Sequence, residues 1–267
     1  MCQLLGMSAN APTDICFSWT GLMFRGGQTG PHKDGWGIAF YEGKGLREFR
    51  DPNPSATSEI ARFISQYPIK SRTVISHIRQ ANVGDISLEN THPFIRELGG
   101  YYWCFAHNGQ LKSYQDLPLG RFRPVGETDS EHAFCWLLED VASGCNDFNS
   151  LECLGGRLYR NCLELTSRGV FNMLFTNSEY LFAYCSTKLY WITRQAPFGC
   201  ASLEDGEIRV NFEEHTNPTD KVTMIVTEPL TVDEEWRQMR PGELIAFRDG
   251  AVAARWYEEG AVKPADA

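Results

Sequence analysis

The sequence contains no apolar run approaching the ~18 residues that a membrane-crossing helix requires, so no membrane span is expected. It has no C-x-x-C pair and no H-x-x-x-H, and its six histidines are scattered. Metal-ligand spacing is therefore absent, and neither a metal nor a cofactor is expected. Basic residues are in short supply: 25 Lys and Arg stand against 34 Asp and Glu, a formal net charge of −9. Such a chain is a poor fit to an extended nucleic-acid backbone. Internal repeats, low-complexity tracts and long Pro/Gly/Ser linkers are missing too. The first ten residues, MCQLLGMSAN, lack the basic stretch of a secretory signal. Cysteine, by contrast, is plentiful: nine, an odd number, at positions 2, 16, 104, 135, 145, 153, 162, 185 and 200. An odd count without a secretory signal predicts reduced thiols in a cytoplasmic protein, most of them small buried hydrophobes.

Strand and helix signals alternate in a definite order. Gln3–Met7 reads as a strand, and Thr13–Met23 as a helix behind a Thr/Asp cap. Trp36–Tyr41 and Leu46–Arg50 form a hairpin around the Gly43–Gly45 turn. Ser55–Gln66 reads as a helix capped by Ser55 and stopped by Pro68. Strands 73–79 and 101–108 follow, separated by a long polar stretch that holds Asn90-Thr-His-Pro-Phe94. Thr128-Asp-Ser-Glu131 has the form of a capping box ahead of an apolar-periodic helix closed by Gly144, and a second helix covers Leu151–Leu165. From Val170 onward six strands are expected, near 170–177, 180–185, 188–193, 221–227, 243–247 and 251–257. Strands at both ends with helices between them predict an α+β layered domain of two packed sheets with helices outside. Residues 2–258 form the domain in this reading, and 259–267 a loose tail.

Five local features are candidates for chemistry. Removal of Met1 exposes Cys2 with a thiol and a free amine on one residue. With ordinary pKa values of about 8.5 and about 7.7–8.0, the amine can take the thiol proton near neutrality. Asn108-Gly109, at the end of an apolar strand, supplies a side-chain amide and a backbone N–H, the two donors a tetrahedral oxyanion requires. The same pair is also the commonest hairpin turn. Arg79 is suited to a bidentate grip on a carboxylate, or to a solvated ion pair. Asp129 is suited to an ammonium group, or to capping the helix it begins. Asp34-Gly-Trp-Gly37 enters a strand through glycines that permit close backbone approach or a bulge.

Taken together and in this order, Met-Cys at the start, DGWG near 35, H-x-R-x-A at 77–81, H-N-G at 107–109 and T-D-S-E at 128–131 resemble the class II glutamine amidotransferases. These are N-terminal-nucleophile hydrolases. The stand-alone, YafJ-type members are most similar. They share Asn90–Phe94 and a late pattern matched by Thr227–Leu230, Trp236 and Pro241–Leu244. The resemblance covers essentially the whole chain and implies a four-layer αββα sandwich. It implies Cys2 as nucleophile with its own amine as base, Asn108 and Gly109 as the oxyanion hole, Arg79 on the α-carboxylate of glutamine and Asp129 on its α-ammonium. Asn82 takes a substrate-contacting place where synthases of the class carry threonine, and Gln80 replaces a tryptophan.

The reaction so implied is hydrolysis of the γ-carboxamide of glutamine, or of a γ-glutamyl compound, through a Cys2 thioester, releasing glutamate and ammonia or an amine. Synthases of the class carry a second domain that consumes the ammonia, for which this sequence leaves no room. The expected partner is accordingly a separate synthase subunit. The alternatives are an amidohydrolase of γ-glutamyl peptides or thiols with no transfer step, and a binding module without turnover.

Overall fold

The computed structural model describes residues 2–81 and 84–258. In chain order it runs β1 (Gln3–Thr13), α1 (Cys16–Arg25), β2 (Trp36–Glu42), β3 (Gly45–Asp51), α2 (Glu59–Gln66), β4 (Ser71–Ile78), β5 (Phe94–Leu98) and β6 (Tyr101–Leu111). There follow α3 (Asp129–Gly144), α4 (Leu151–Arg168), β7 (Gly169–Thr176), β8 (Leu181–Cys185), β9 (Tyr190–Gln195), β10 (Cys200–Ser202) and β11 (Arg209–Asn211). The last four strands are β12 (Lys221–Val226), β13 (Arg237–Gln238), β14 (Glu243–Arg248) and β15 (Ala251–Trp256).

Two antiparallel sheets stack face to face. One has the order β13-β9-β12-β1-β4-β2-β3 and the other β15-β14-β8-β7-β6-β5, with β10–β11 as a small separate hairpin. Strand alternation divides the apolar residues among three cores. On β1, Leu5, Met7 and Ala9 join the core shared with Trp19 and Leu22 of α1, while Leu4 faces the second sheet. On β6, Trp103 and Phe105 pack towards Phe134 and Leu138 of α3, while Cys104 and Ala106 turn inward between the sheets. Three apolar layers separating four structural layers is the αββα sandwich expected. Its middle core mixes small residues such as Ala39, Cys104, Ala106 and Ala183 with large ones such as Leu174, Trp191 and Phe247.

Several element boundaries differ from the sequence reading, each for a local reason. Strand β1 continues past Met7 to Thr13, because Ser8 and Ala9 still pair with β12 and Thr13 with Ser71. Helix α1 therefore begins at Cys16, whose N–H is taken by Asp14 Oδ1 at 3.2 Å. The cap of α2 is Ser58, not Ser55. The Ser55 hydroxyl is buried and donates to the Met23 carbonyl at 2.7 Å, leaving 55–57 as a 3-10 turn. Thr128 caps α3 as expected, accepting from Glu131 N at 3.2 Å, but the Glu131 carboxylate does not complete the box. It accepts instead from Val125 N and Gly126 N at 3.0 and 2.7 Å and pairs with Arg96. Gly144 is the last residue of α3 and Cys145 its cap. Strand β5 lies in the stretch read as a polar connection, and β10, β11 and β13 are too short to leave a periodic signal.

The cysteines also require a correction. Cys145 and Cys153 are disulfide-bonded across the α3–α4 turn, where reduced thiols were expected. Eight residues of separation and a tight turn bring the two side chains together, a proximity no spacing rule flags. The expectation of buried apolar thiols holds for Cys104, Cys135, Cys162 and Cys185. The expected tail, 259–267, lies outside the described residues.

Candidate active site

Cys2 stands at the head of β1, the middle strand of seven. Its Sγ accepts the Gln80 N–H at 3.2 Å. Burial pushes the Cys2 thiol up from its ordinary value; the Gln80 N–H and the Arg79 charge act in the opposite direction. One pocket is lined by Cys2, Arg79, Gly109 and Asp129, four of the six residues singled out from sequence, together with Gln80, Thr128 and three histidines. Asn82 lies outside the described residues.

Asn108 is 1% exposed and contacts the backbone of the nucleophile's own residue. Its Nδ2 donates to the Cys2 carbonyl at 2.6 Å and to Thr227 Oγ1 at 3.3 Å. Thr227 Oγ1 also accepts the Leu4 N–H at 2.9 Å, so the loop leaving β12 is stitched to the first turn of backbone after the nucleophile. The Asn108 carbonyl takes Asn172 Nδ2 at 3.1 Å. Asn172 Oδ1 in turn gathers the N–H groups of Ser186, Thr187 and Lys188, tying β7 to the loop that leaves β8. At position 109 only glycine fits: the backbone has φ +159°, and a methyl group there would run into the Val170 carbonyl.

The Asp34–Gly37 motif anchors the segment that bears Arg79. Arg79 N donates to the Gly35 carbonyl at 2.8 Å, and Asp34 Oδ2 takes the Ala81 N–H at 2.7 Å. The Arg79 guanidinium, nearly buried, donates from Nη1 to the Asp85 carbonyl at 2.9 Å and from Nη2 to the Gly84 carbonyl at 3.0 Å. Asp129 sits in the first turn of α3 and is not its cap. Its Oδ2 accepts Leu111 N at 2.7 Å and Oδ1 accepts Ser130 N at 2.9 Å, so the carboxylate ties α3 to the end of β6. Asn90 joins the two walls: its Oδ1 takes the Glu127 N–H at 2.9 Å and its Nδ2 donates to the Asp85 carbonyl at 3.2 Å.

Sequence reasoning missed Gln80 as a backbone partner of the thiol, Thr227 as a support for Asn108, and His77, His92 and His107 as pocket residues. Signals existed for most of them. Thr227 opens the T-x-P-L pattern, and the histidines belong to the H-x-R, NTHPF and H-N-G motifs. Asn172 left no trace in the sequence. Among the described residues no group of three or more His, Cys, Asp or Glu side chains is arranged to hold a metal ion, and no helix is long and apolar enough to cross a membrane.

A cysteine at the head of the central strand of an αββα sandwich, with its pocket walled by the other sheet, defines the N-terminal-nucleophile hydrolase type. Within that type the chain belongs to the class II glutamine amidotransferases, whose family model matches residues 1–266. It is thereby an amidohydrolase or amidotransferase enzyme. YafJ from Escherichia coli, assigned by name to the glutamine amidotransferases, is 57% identical over 248 residues, 92% of this chain and 97% of that protein. A Haemophilus influenzae protein with a similar name is 44% identical over 250 residues, 94% of this chain and 85% of that one. Among solved structures, a predicted glutamine amidotransferase from Pseudomonas aeruginosa superposes with a TM-score of 0.75 at 52% identity, covering 95% of this chain and 100% of that chain. The glutamine phosphoribosylpyrophosphate amidotransferase of Bacillus subtilis shares the fold, with a TM-score of 0.61 at 15% identity over 96% of this chain and 49% of that one.

Proposed function

We propose that the protein hydrolyses the γ-carboxamide of glutamine through a Cys2 γ-glutamyl thioester, with the ammonia available to an acceptor on a separate synthase. The observation that carries this reading is the convergence of Cys2, Arg79, Gly109 and Asp129 on one pocket. Once Met1 is removed, the α-amine of Cys2 takes the thiol proton as Sγ attacks the γ-carbon. Asn108 Nδ2 turns its more weakly held hydrogen, now on Thr227, towards the developing oxyanion, and the Gly109 N–H supplies the second donor. The proton returns to the leaving nitrogen and ammonia departs. Arg79 exchanges the Gly84 and Asp85 carbonyls for the substrate α-carboxylate, which widens the pocket, and Asp129 meets the α-ammonium.

The pocket volume of about 30 Å³ is far below that of an ordinary ligand site. Glutamine itself enters only once Arg79 lets go of the Gly84 and Asp85 carbonyls, and a γ-glutamyl peptide or thiol would need further room beyond the γ-nitrogen. Seven free cysteines fit a cytoplasmic setting. The test is a screen of glutamine and γ-glutamyl peptides for glutamate release by the purified protein: glutamine is expected to lead, and a peptide leading would reassign the substrate. Intact mass of the active protein should show a chain starting at Cys2. Full activity from a homogeneous Met1-retaining species would remove the amine from the mechanism.

Charge-assisted contacts of this kind contribute about 1.5–3 kcal/mol each, so losing either should lower kcat/KM by roughly 10–150-fold. The two defects should differ in kind. Arg79→Ala is expected to erase the preference for a free α-carboxylate, and Asp129→Asn the preference for a free α-ammonium. Asparagine at 129 keeps an oxygen for the Leu111 N–H while removing the charge, so α3 stays tied to β6. Comparing glutamine with its N-acetylated and α-amidated analogues reads both ends. An Asp129→Asn variant that still rejects N-acetylglutamine like the parent would leave Asp129 a purely structural tie.

A further inference from the structure

His77, from β4, and His92, from the turn before β5, stack on one another with ring centroids 4.2 Å apart. Both are essentially buried and both line the pocket that holds Cys2. Among the described residues no group closes a well-aligned hydrogen bond to any of their four ring nitrogens, His77 having only a weaker polar approach from the His107 backbone. Buried polar atoms without partners are rare in folded proteins and ask for an explanation. Apolar packing does not require imidazole here. His92 lies between His77 and Phe94, where a phenyl ring would stack as well. The neighbouring His107 shows the contrast, since both of its nitrogens are engaged, by Ser130 Oγ at 2.8 Å and the Val170 carbonyl at 3.1 Å.

Burial holds both free-ended rings neutral, His77 lowered to about 3 and His92 well below its ordinary value. A neutral imidazole carries one N–H donor and one acceptor nitrogen. Stacked as they are, the two rings can each turn one nitrogen to a shared water, one as donor and the other as acceptor. The adjoining cavity, about 30 Å³ and lined by polar groups, has room for one or two waters with enough partners to hold them.

We propose that His77 and His92 hold the water that cleaves the thioester. The inference rests on the glutaminase reading above and assigns the second half of that reaction. After ammonia leaves, the water oxygen bonds to the γ-carbon, and the C–S bond breaks with its electron pair returning to Cys2 Sγ. One water proton passes to the Cys2 amine and from there to sulfur, and glutamate leaves. The histidines move no proton; they aim the water. Acylation, in which Sγ attacks the amide, does not use them.

The two half-reactions can be timed separately on the full-length protein by rapid quench with glutamine, reading ammonia and glutamate. For His77→Phe and His92→Phe, a stoichiometric ammonia burst at close to the parent rate is expected, followed by glutamate release slowed about tenfold. Intact mass should show the γ-glutamyl adduct accumulating on Cys2. Added hydroxylamine, a stronger nucleophile that needs no placement, should restore turnover as γ-glutamyl hydroxamate. His92→Gln, which returns an amide donor and acceptor, should recover part of the loss and carries the test should the phenylalanine variants not fold. Acylation falling in step with deacylation, or glutamate release at the parental rate, would overturn the assignment. A parent protein that forms no adduct and releases no ammonia from glutamine would instead overturn the glutaminase reading itself.

Discussion

Cys2→Ala is expected to release no glutamate from glutamine while keeping the parental melting temperature. No other thiol can substitute. Cys104 and Cys162 are fully buried, and burial pushes both thiols well above their ordinary values. Burial also lifts Cys16 and Cys135 to about 11 and Cys185 to about 12. Cys200 is exposed but lies on β10, away from the pocket. Because burial raises the Cys2 thiol too, the proposed mechanism relies on a base at hand and not on standing thiolate. Two reagents should therefore behave oppositely. Iodoacetamide, which selects by exposure, should mark Cys200 first; a glutamine-shaped diazo-ketone should mark Cys2 alone. A diazo-ketone spread over several cysteines would mean that Cys2 is not specially activated.

Asn108→Ala should lower kcat by about 10²–10³-fold, since one oxyanion donor contributes roughly 2.7–4 kcal/mol. KM should move little, because the proposal gives the charged ends of the substrate to Arg79 and Asp129 and leaves Asn108 the oxyanion. The variant also loses the bond to the Cys2 carbonyl, so the melting temperature should be followed alongside. If KM rose while kcat held, Asn108 would be a positioning residue for bound glutamine.

Much of this site was legible because its chemistry is concentrated in short motifs. Asn108-Gly109 falls within β6, not at the strand end or hairpin turn the sequence suggested, and Asp34–Gly37 leads into β2, so in each case one strand holds the motif together. The helix signals ahead of Gly144 and over 151–165 were carried by apolar periodicity, and the second helix runs on to Arg168. What escaped was long-range. Ser55 lost its capping role to a carbonyl 32 residues away, and Glu131 gave up its half of the capping box to the loop preceding the helix. Thr227 reaches Asn108 across 119 residues, and the Cys145–Cys153 bond depends on how α4 folds back on α3. A periodicity argument has no access to partners chosen by tertiary packing. The histidine pair escaped for another reason: each ring sits in a motif already explained by its neighbours.

The position of β1 has a practical consequence. Chain ends usually fray, and their amides exchange with solvent within moments. Here the strand that follows the nucleophile is paired with β4 from Gln3 and with β12 from Leu5. The amides of Leu5, Gly6 and Met7 should thus be among the slowest in the molecule to exchange for deuterium, next to a terminus that the proposed chemistry needs free. An affinity tag fused ahead of Cys2 would leave this strand and its protection intact while converting the terminal amine to a peptide bond. A tagged protein would then look well folded by every spectroscopic measure and still be inert, so the tag belongs at the other end of the chain.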